Sequence, residues 1–310
     1  MNVTVILALG ANLLVAVAKT VAGYITRSAS MVAEAAHSWA DTGNEVFLLV
    51  ADRRARRRPD AAHPLGYGRE AYVWSMFAAI GLFAVGAGVS ITHGVQELLD
   101  PDPASDFVVG YVVLGIAFVL EGTSFFQAVR QVRREARRAD RDLLEHALQT
   151  SDPTLRAVFA EDAAALIGIV LAAAGLLAHD LTGSPVPDAV GSIAVGVLLG
   201  VVALVLLDRN RRFIVGVEAS ASLRGTLERL LRAEPEVAAV NYLHVEFVGP
   251  RQLYLVAGVD LTGDAAESAV ATRLRALERR LEEEQLVVEA VLTVSRGQEA
   301  VAAVDGAGRP

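Results

Sequence analysis

SASMVAEAAHSWADTGNE, residues 28–45, is a hydrophobic segment that carries Glu34, His37 and Asp41. Spacings of three and four residues put the three side chains on one face of a helix, and Asn44 and Glu45 extend that face. A carboxylate near the centre of a bilayer-spanning helix costs about 2.5–3.5 kcal/mol on insertion scales. Such groups therefore line a cavity, pair with one another or mark an ion path. Two carboxylates and an imidazole are metal-ligand types, so this face suggests a metal path.

Composition bounds the reading further out. Of 310 residues, 53% are hydrophobic, and the mean hydropathy is positive. That is too apolar for an ordinary soluble domain and suits a membrane protein with a smaller polar part. Cysteine is absent, so disulfides and thiolate ligands drop out and a metal must be held by nitrogen and oxygen. The net charge of −8 is unevenly spread: arginines crowd the connections between apolar segments, and the last hundred or so residues are acid-rich. Membrane topology explains the arginines without any nucleic acid.

The hydropathy pattern predicts six spans. The first runs from Asn2 to about Ile25 and contains Asn12 and Lys19. It has no basic region ahead of its apolar core, unlike a signal peptide. The second is the opening stretch, to about Val50. The connection ADRRARRRPDAAHPLGYGRE, with six arginines, reads as a solvated loop. Span three covers about Tyr72 to Leu98. Span four, about Phe107 to Val129, carries Glu121, and an arginine-rich connection, Arg130 to Arg141, follows it. Span five, about Thr154 to His179, holds the adjacent pair Glu161 and Asp162, and Pro153 suits its start. Span six covers about Val190 to Leu207. Arginine loops on the cytoplasmic side after spans two, four and six satisfy the positive-inside rule, with both termini cytoplasmic and LDPDPASD outside. Asp41 and Asp162 then lie at similar depths.

From Phe213 the pattern is that of a soluble domain. Ser222 to Arg232 reads as a helix with Leu223, Leu227 and Leu230 on one side. Tyr242–Val248 and Leu253–Val259 alternate around Gly249-Pro250-Arg251, as a hairpin does. A helix over Ala265–Glu284 and a strand over Val287–Val294 complete an αββαβ unit. The expected domains are residues 1–210 for the six-helix transport part, 211–297 for a cytoplasmic domain small enough to need a second copy, and 298–310 for a disordered tail.

With AEAAHSWADTGNE in span two, HPLGYGREAYVWS before span three, VLEGTS in span four and ED in span five, the chain resembles the cation diffusion facilitator family, in particular the branch containing zinc transporter 9. The resemblance covers almost the whole chain. It implies an α-helical membrane protein of six transmembrane helices followed by a ferredoxin-like αββαβ cytoplasmic domain. It also implies a homodimer in the cell membrane, with lipid around it, that exports divalent cations in exchange for protons. The ion is most often Zn²⁺, with Mn²⁺, Fe²⁺ and Co²⁺ as other candidates, and no prosthetic group is implied.

The family's site uses two residues four apart in span two and two four apart in span five. His37 and Asp41 match the first pair. Asp162 matches one member of the second, and its partner position is Val158, which cannot bind metal. Glu161, Glu34 or a water would have to substitute. Glu34 reads equally well as an ion-pair partner of Lys19. Asn12 and Asn44 are expected as interhelical hydrogen-bonding groups near the site, and Glu121 as a buried hydrogen-bonding group or proton relay. His63 reads as a turn residue, and His244 with Glu246 as a solvated strand face. The alternatives in other classes are a metal-sensing or scaffolding membrane protein without transport, and an intramembrane metallohydrolase. The latter would need two histidines four apart beside a glutamate, and that motif is missing.

Overall fold

A computed structural model describes residues 3–101, 106–138 and 141–295. The expected tail at 298–310 and the middle of LDPDPASD fall outside the described residues. Helices α1 (Val3–Thr26), α2 (Ala29–Ala55), α3 (Glu70–Gly81), α4 (Gly88–Leu99), α5 (Phe107–Arg138), α6 (Leu143–Gln149), α7 (Pro153–Thr182) and α8 (Val186–Val215) precede a small α+β unit. A π-helical turn, Leu82–Ala87, joins α3 and α4 into one continuous span. Contacts divide the chain into two units. One takes the residues through Arg54 with Glu70–Arg211, and the other Ala55–Arg69 with the residues from Arg212 onward.

Among the described residues, five helical stretches are long and apolar enough to cross a membrane: Leu9–Thr26, Glu70–Leu99, Phe107–Arg137, Pro153–Thr182 and Val186–Val215. The chain is thus a multi-pass membrane protein. Helix α2 has 27 residues, enough to cross, but its acids and arginines keep it out of that set. Helix α5 runs on to Arg138, through a segment read above as connection, because Arg130–Arg138 contains no glycine or proline to stop it. The start of α7 follows expectation. Pro153 occupies the first turn, and the Asp152 side chain accepts from the backbone N–H groups of Thr154 and Leu155.

Small residues let the helices approach closely. Ala33, Ala40, Ala87, Ala164 and Ala203 pack with Leu82, Val195 and Leu199 in one core cluster drawn from α2, the π turn, α7 and α8. A second cluster joins Ala22, Met31, Leu114, Ala117, Ile169, Ala172 and Leu176. Within this unit Arg156 is 1% exposed. It donates to Thr150 O at 2.8 Å and to Asn210 Oδ1 at 2.5 Å, and Asn210 Nδ2 donates to Ser75 Oγ at 3.1 Å. This chain of bonds ties α3, α7 and α8 together at one end.

In the second unit α9 (Ala221–Ala233), β1 (Val237–Gly249), β2 (Gln252–Leu261), α10 (Glu267–Glu282) and β3 (Val287–Val294) follow the expected αββαβ order. The sheet order is β1-β2-β3, antiparallel between β1 and β2 and parallel between β2 and β3. Leu255 sits opposite Val245 and beside Ala290. The face carrying Val245, Leu253, Leu255, Ala257 and Val259 is buried under Leu227 and Leu231 of α9 and Leu277 and Leu281 of α10. Leu231 takes the core position expected of Leu230, which is 41% exposed. Leu231 lies about 40° around the helix from the buried Leu227, and Leu230 about 60° from it on the other side.

The arginine-rich loop also differs from a merely solvated connection. A Cβ on Gly68 would stand 2.6 Å from Val248 O and 2.8 Å from Gly249 Cα, so loop and hairpin meet glycine against glycine. Arg69 Nη2 donates to Glu246 Oε1 at 2.6 Å. His63 is a turn residue, as expected. Asp60 Oδ1 accepts from the backbone N–H groups of Ala62 and His63, and Asp60 Oδ2 accepts from Tyr67 Oη at 2.6 Å.

Candidate metal centre

Helix α2 packs antiparallel to α7, and three contacts fix the register. Ser30 Oγ donates to Ala172 O at 3.2 Å. Glu34 Oε1 lies against Gly168, only 2.6 Å from where a Cβ would stand. Asn44 Nδ2 donates to Glu161 Oε2. Stepping down α2 between Glu34 and Asn44 therefore brings His37 and Asp41 opposite the turn of α7 between Glu161 and Gly168. Asp41 comes within electrostatic range of Glu161 and Asp162 on α7, Glu121 on α5 and Lys19 on α1. The same contacts put Asp41 near the level of Glu161 and Asp162 along the helix pair.

His37 is fully buried, and its Nε2 stands 3.3 Å from Asp41 Oδ2. Both ring nitrogens of His37 are buried without a hydrogen-bond partner, as are Asp41 Oδ1, Glu34 Oε1, Asn44 Oδ1, Glu45 Oε2 and Glu161 Oε1. Buried polar atoms are nearly always paired, because an unpaired one costs about 1–3 kcal/mol. They concentrate along α2 and the part of α7 that faces it. Asp162 on α7 is held from the opposite direction, where Ser124 Oγ of α5 donates to its Oδ2 at 2.8 Å. Among the described residues, no three His, Asp or Glu side chains converge as a closed metal cage. The donors surround the interface and do not meet at a point.

The two readings of Glu34 separate here. Lys19 Nζ donates to Glu34 Oε2 at 2.9 Å, with both side chains fully buried. One carboxylate oxygen is committed to a cation, and only the other faces α7. Glu161 turns toward α2, held by Asn44. Asn12 Nδ2 donates to Glu45 Oε1 at 2.6 Å, so both asparagines bridge helices, as expected. Glu121 is partly buried and lies within electrostatic range of Lys19 and Glu34. Val158, at the position of the missing ligand, faces a groove between α5 and α7. His244 Nε2 is 3.7 Å from Glu246 Oε2, and that glutamate is already bound by Arg69.

Sequence reasoning missed Ser124 as the partner of Asp162, because the bond crosses 38 positions. The serine sits in the VLEGTS stretch, but nothing local to it names an aspartate on another helix. It also missed the Arg156–Asn210–Ser75 chain. Its only local signal was a lone arginine four residues into an apolar span.

Helices long and apolar enough to cross a membrane, followed in the chain by an αββαβ unit, define a polytopic membrane protein with ionisable groups buried between its helices. Residues 5–214 match the cation efflux transmembrane domain, and the chain belongs to that family. It is 36% identical over 256 residues to metal tolerance protein C4 of Arabidopsis thaliana, covering 83% of this chain and 56% of the relative. It is 34% identical over 245 residues to the mitochondrial proton-coupled zinc antiporter SLC30A9 of Xenopus laevis, covering 79% and 44%. Against zinc transporter ZitB of Escherichia coli it is 25% identical over 234 residues, 75% of this chain and 69% of the relative. The chain spans about half the length of the first two relatives.

Proposed function

We propose that this chain moves a divalent cation, Zn²⁺ foremost, out of the cytoplasm in exchange for protons, through one site shared by α2 and α7. The observation that carries the reading is the set of buried, unpartnered donor atoms on His37, Asp41 and Glu161 where those helices face each other. Deprotonated carboxylates and a neutral imidazole bind the ion, and the same groups take up protons when it leaves. Competition for one set of donors couples the two fluxes. Asp162 exchanges its Ser124 hydrogen bond for the ion as α2 and α7 rock against each other, exposing the site to one side and then the other. The printed name of the Xenopus relative, a proton-coupled zinc antiporter, supports this chemistry.

Roles divide by what each side chain already holds. His37, Asp41 and Asp162 are the primary ligands, and Glu161 supplies the donor that Val158 lacks. Glu34 serves as the counter-charge of Lys19. The arginine-rich connections lie on the cytoplasmic side, with both termini there. Residues 1–210 form the transport domain with α2 as its sixth span, and 211–297 a cytoplasmic domain through which two copies pair. Zn²⁺, Mn²⁺, Fe²⁺ and Co²⁺ uptake into proteoliposomes, each with a trapped pH dye, tests the reading. The expected result is metal flux with opposing proton movement, abolished by Asp41→Ala or Asp162→Ala at normal expression. Near-normal flux in both variants refutes the site.

A further inference from the structure

Away from the α2–α7 interface, α5 and α7 border a groove of about 270 Å³. Its walls include Ser124, Gln127 and Gln131, which recur along one face of α5, with Asp152 and Val158 opposite. Its inner end is Ser124, whose hydroxyl holds Asp162. Asp152, at its other end, caps α7 through Oδ1. That end lies beside the arginine-bearing half of α5.

Gln127 and Gln131 are exposed on a helix apolar enough to cross a membrane. Gln127 makes no side-chain hydrogen bond within the described residues, and Gln131 reaches only Glu135 at 3.5 Å. An unpaired amide moved from water to hydrocarbon costs roughly 4–8 kcal/mol. Gln127, inside span four, points to a face that carries water, and Gln131 continues that face among the arginines beyond Val129. The volume suffices for a hydrated ion, since six waters at about 30 Å³ each need roughly 180 Å³. The wall residue at the family's ligand position is Val158, so beyond Asp152 an ion in the groove meets amide oxygens on α5 and no carboxylate or imidazole in the opposite wall.

We propose that the α5–α7 groove is the cytoplasmic port through which a hydrated divalent cation reaches Asp162, with the Asp152 carboxylate at its mouth and the Gln131 and Gln127 amides along its path. This port rests on the transport reading above, and its test separates the two. The chain has no cysteine, so single cysteines can be placed without background. In reconstituted protein, Gln127→Cys and Gln131→Cys should react with a membrane-impermeant thiol reagent from the arginine-rich side only. Reaction should be at least about tenfold faster than at Phe126→Cys, one residue away, exposed and outside the groove's walls, and Mn²⁺, a poor thiol ligand, should slow it. In flux assays Asp152→Asn, which keeps the capping oxygen and loses the charge, should raise KM from that side about three- to tenfold with kcat nearly unchanged. Labelling no faster than at Phe126→Cys, labelling indifferent to Mn²⁺, or an unchanged KM would each overturn the port. Absence of flux in the wild-type protein would instead remove the transport reading and leave the labelling result to judge the groove.

Discussion

Lys19 and Glu34 form an ion pair with no exposure on either side and an N–O distance of 2.9 Å. Replacing Lys19 by methionine keeps an unbranched stem of similar length and removes the ammonium. Glu34 Oε2 then loses its partner, while Oε1 stays wedged against Gly168 without one. Removing one member of a fully buried pair costs about 3–5 kcal/mol, because the other charge is left uncompensated. At about 1.4 kcal/mol per tenfold, that lowers the folding equilibrium constant by roughly two to three and a half orders of magnitude. Lys19→Met/Glu34→Gln removes both charges and should recover most of the loss, with a coupling energy near the upper end of the usual range of about 0.5–3 kcal/mol. Unfolding by SDS titration in mixed micelles, followed by circular dichroism, measures each corner of this cycle. Transport by the double variant then tests the role given to Glu34: a counter-charge predicts recovery of flux with stability, and a metal ligand predicts stability without flux. A Lys19→Met protein within about 1 kcal/mol of wild type would refute the argument from burial.

Val158→His should shift preference toward Zn²⁺ over Mn²⁺, and Glu161→Gln should weaken transport of both, because oxygen-rich sites discriminate less sharply; unchanged metal selectivity in proteoliposomes would remove Glu161 and position 158 from the site. In the loop, the hydrogen bond from Tyr67, ahead of those from His63 and Ala62, lowers the Asp60 carboxyl to about 2. The stabilisation it gives the turn is complete above the ordinary carboxylate pKa of about 3.9 and is lost as pH falls through about 2. Tyr67→Phe should move the Asp60 midpoint, read by carboxyl-carbon NMR, back toward the ordinary value, and an unmoved midpoint would discount that bond. Purified protein in mild detergent should have the mass of two chains, and a monomeric mass at all concentrations would count against pairing.

The hydrophobic periodicities were legible because they are local. A run of apolar residues long enough to cross, an alternation of two around Gly249-Pro250-Arg251, and Pro153 after a capping Asp152 each carry their meaning within a few residues. Element order and the αββαβ unit follow from them. So does the face of α2, since spacings of three and four place Glu34, His37 and Asp41 together whatever the helix packs against. Where helices ended was less legible: α5 continues through its arginines to Arg138 because charge alone does not break a helix. What only the tertiary structure decided is which partner each polar group takes. Glu34 had two readings in sequence, and the crossing of α1 beside α2 brought Lys19 to it at 2.9 Å. Glu161 and Asp162 are neighbours in the chain, yet Asn44 of α2 holds one and Ser124 of α5 the other. Adjacent helical side chains point about 100° apart, so helix rotation within the bundle assigns them to different neighbours. Hydrogen bonds between groups tens of residues apart depend on that rotation and on depth, and neither is written in any local stretch of the chain.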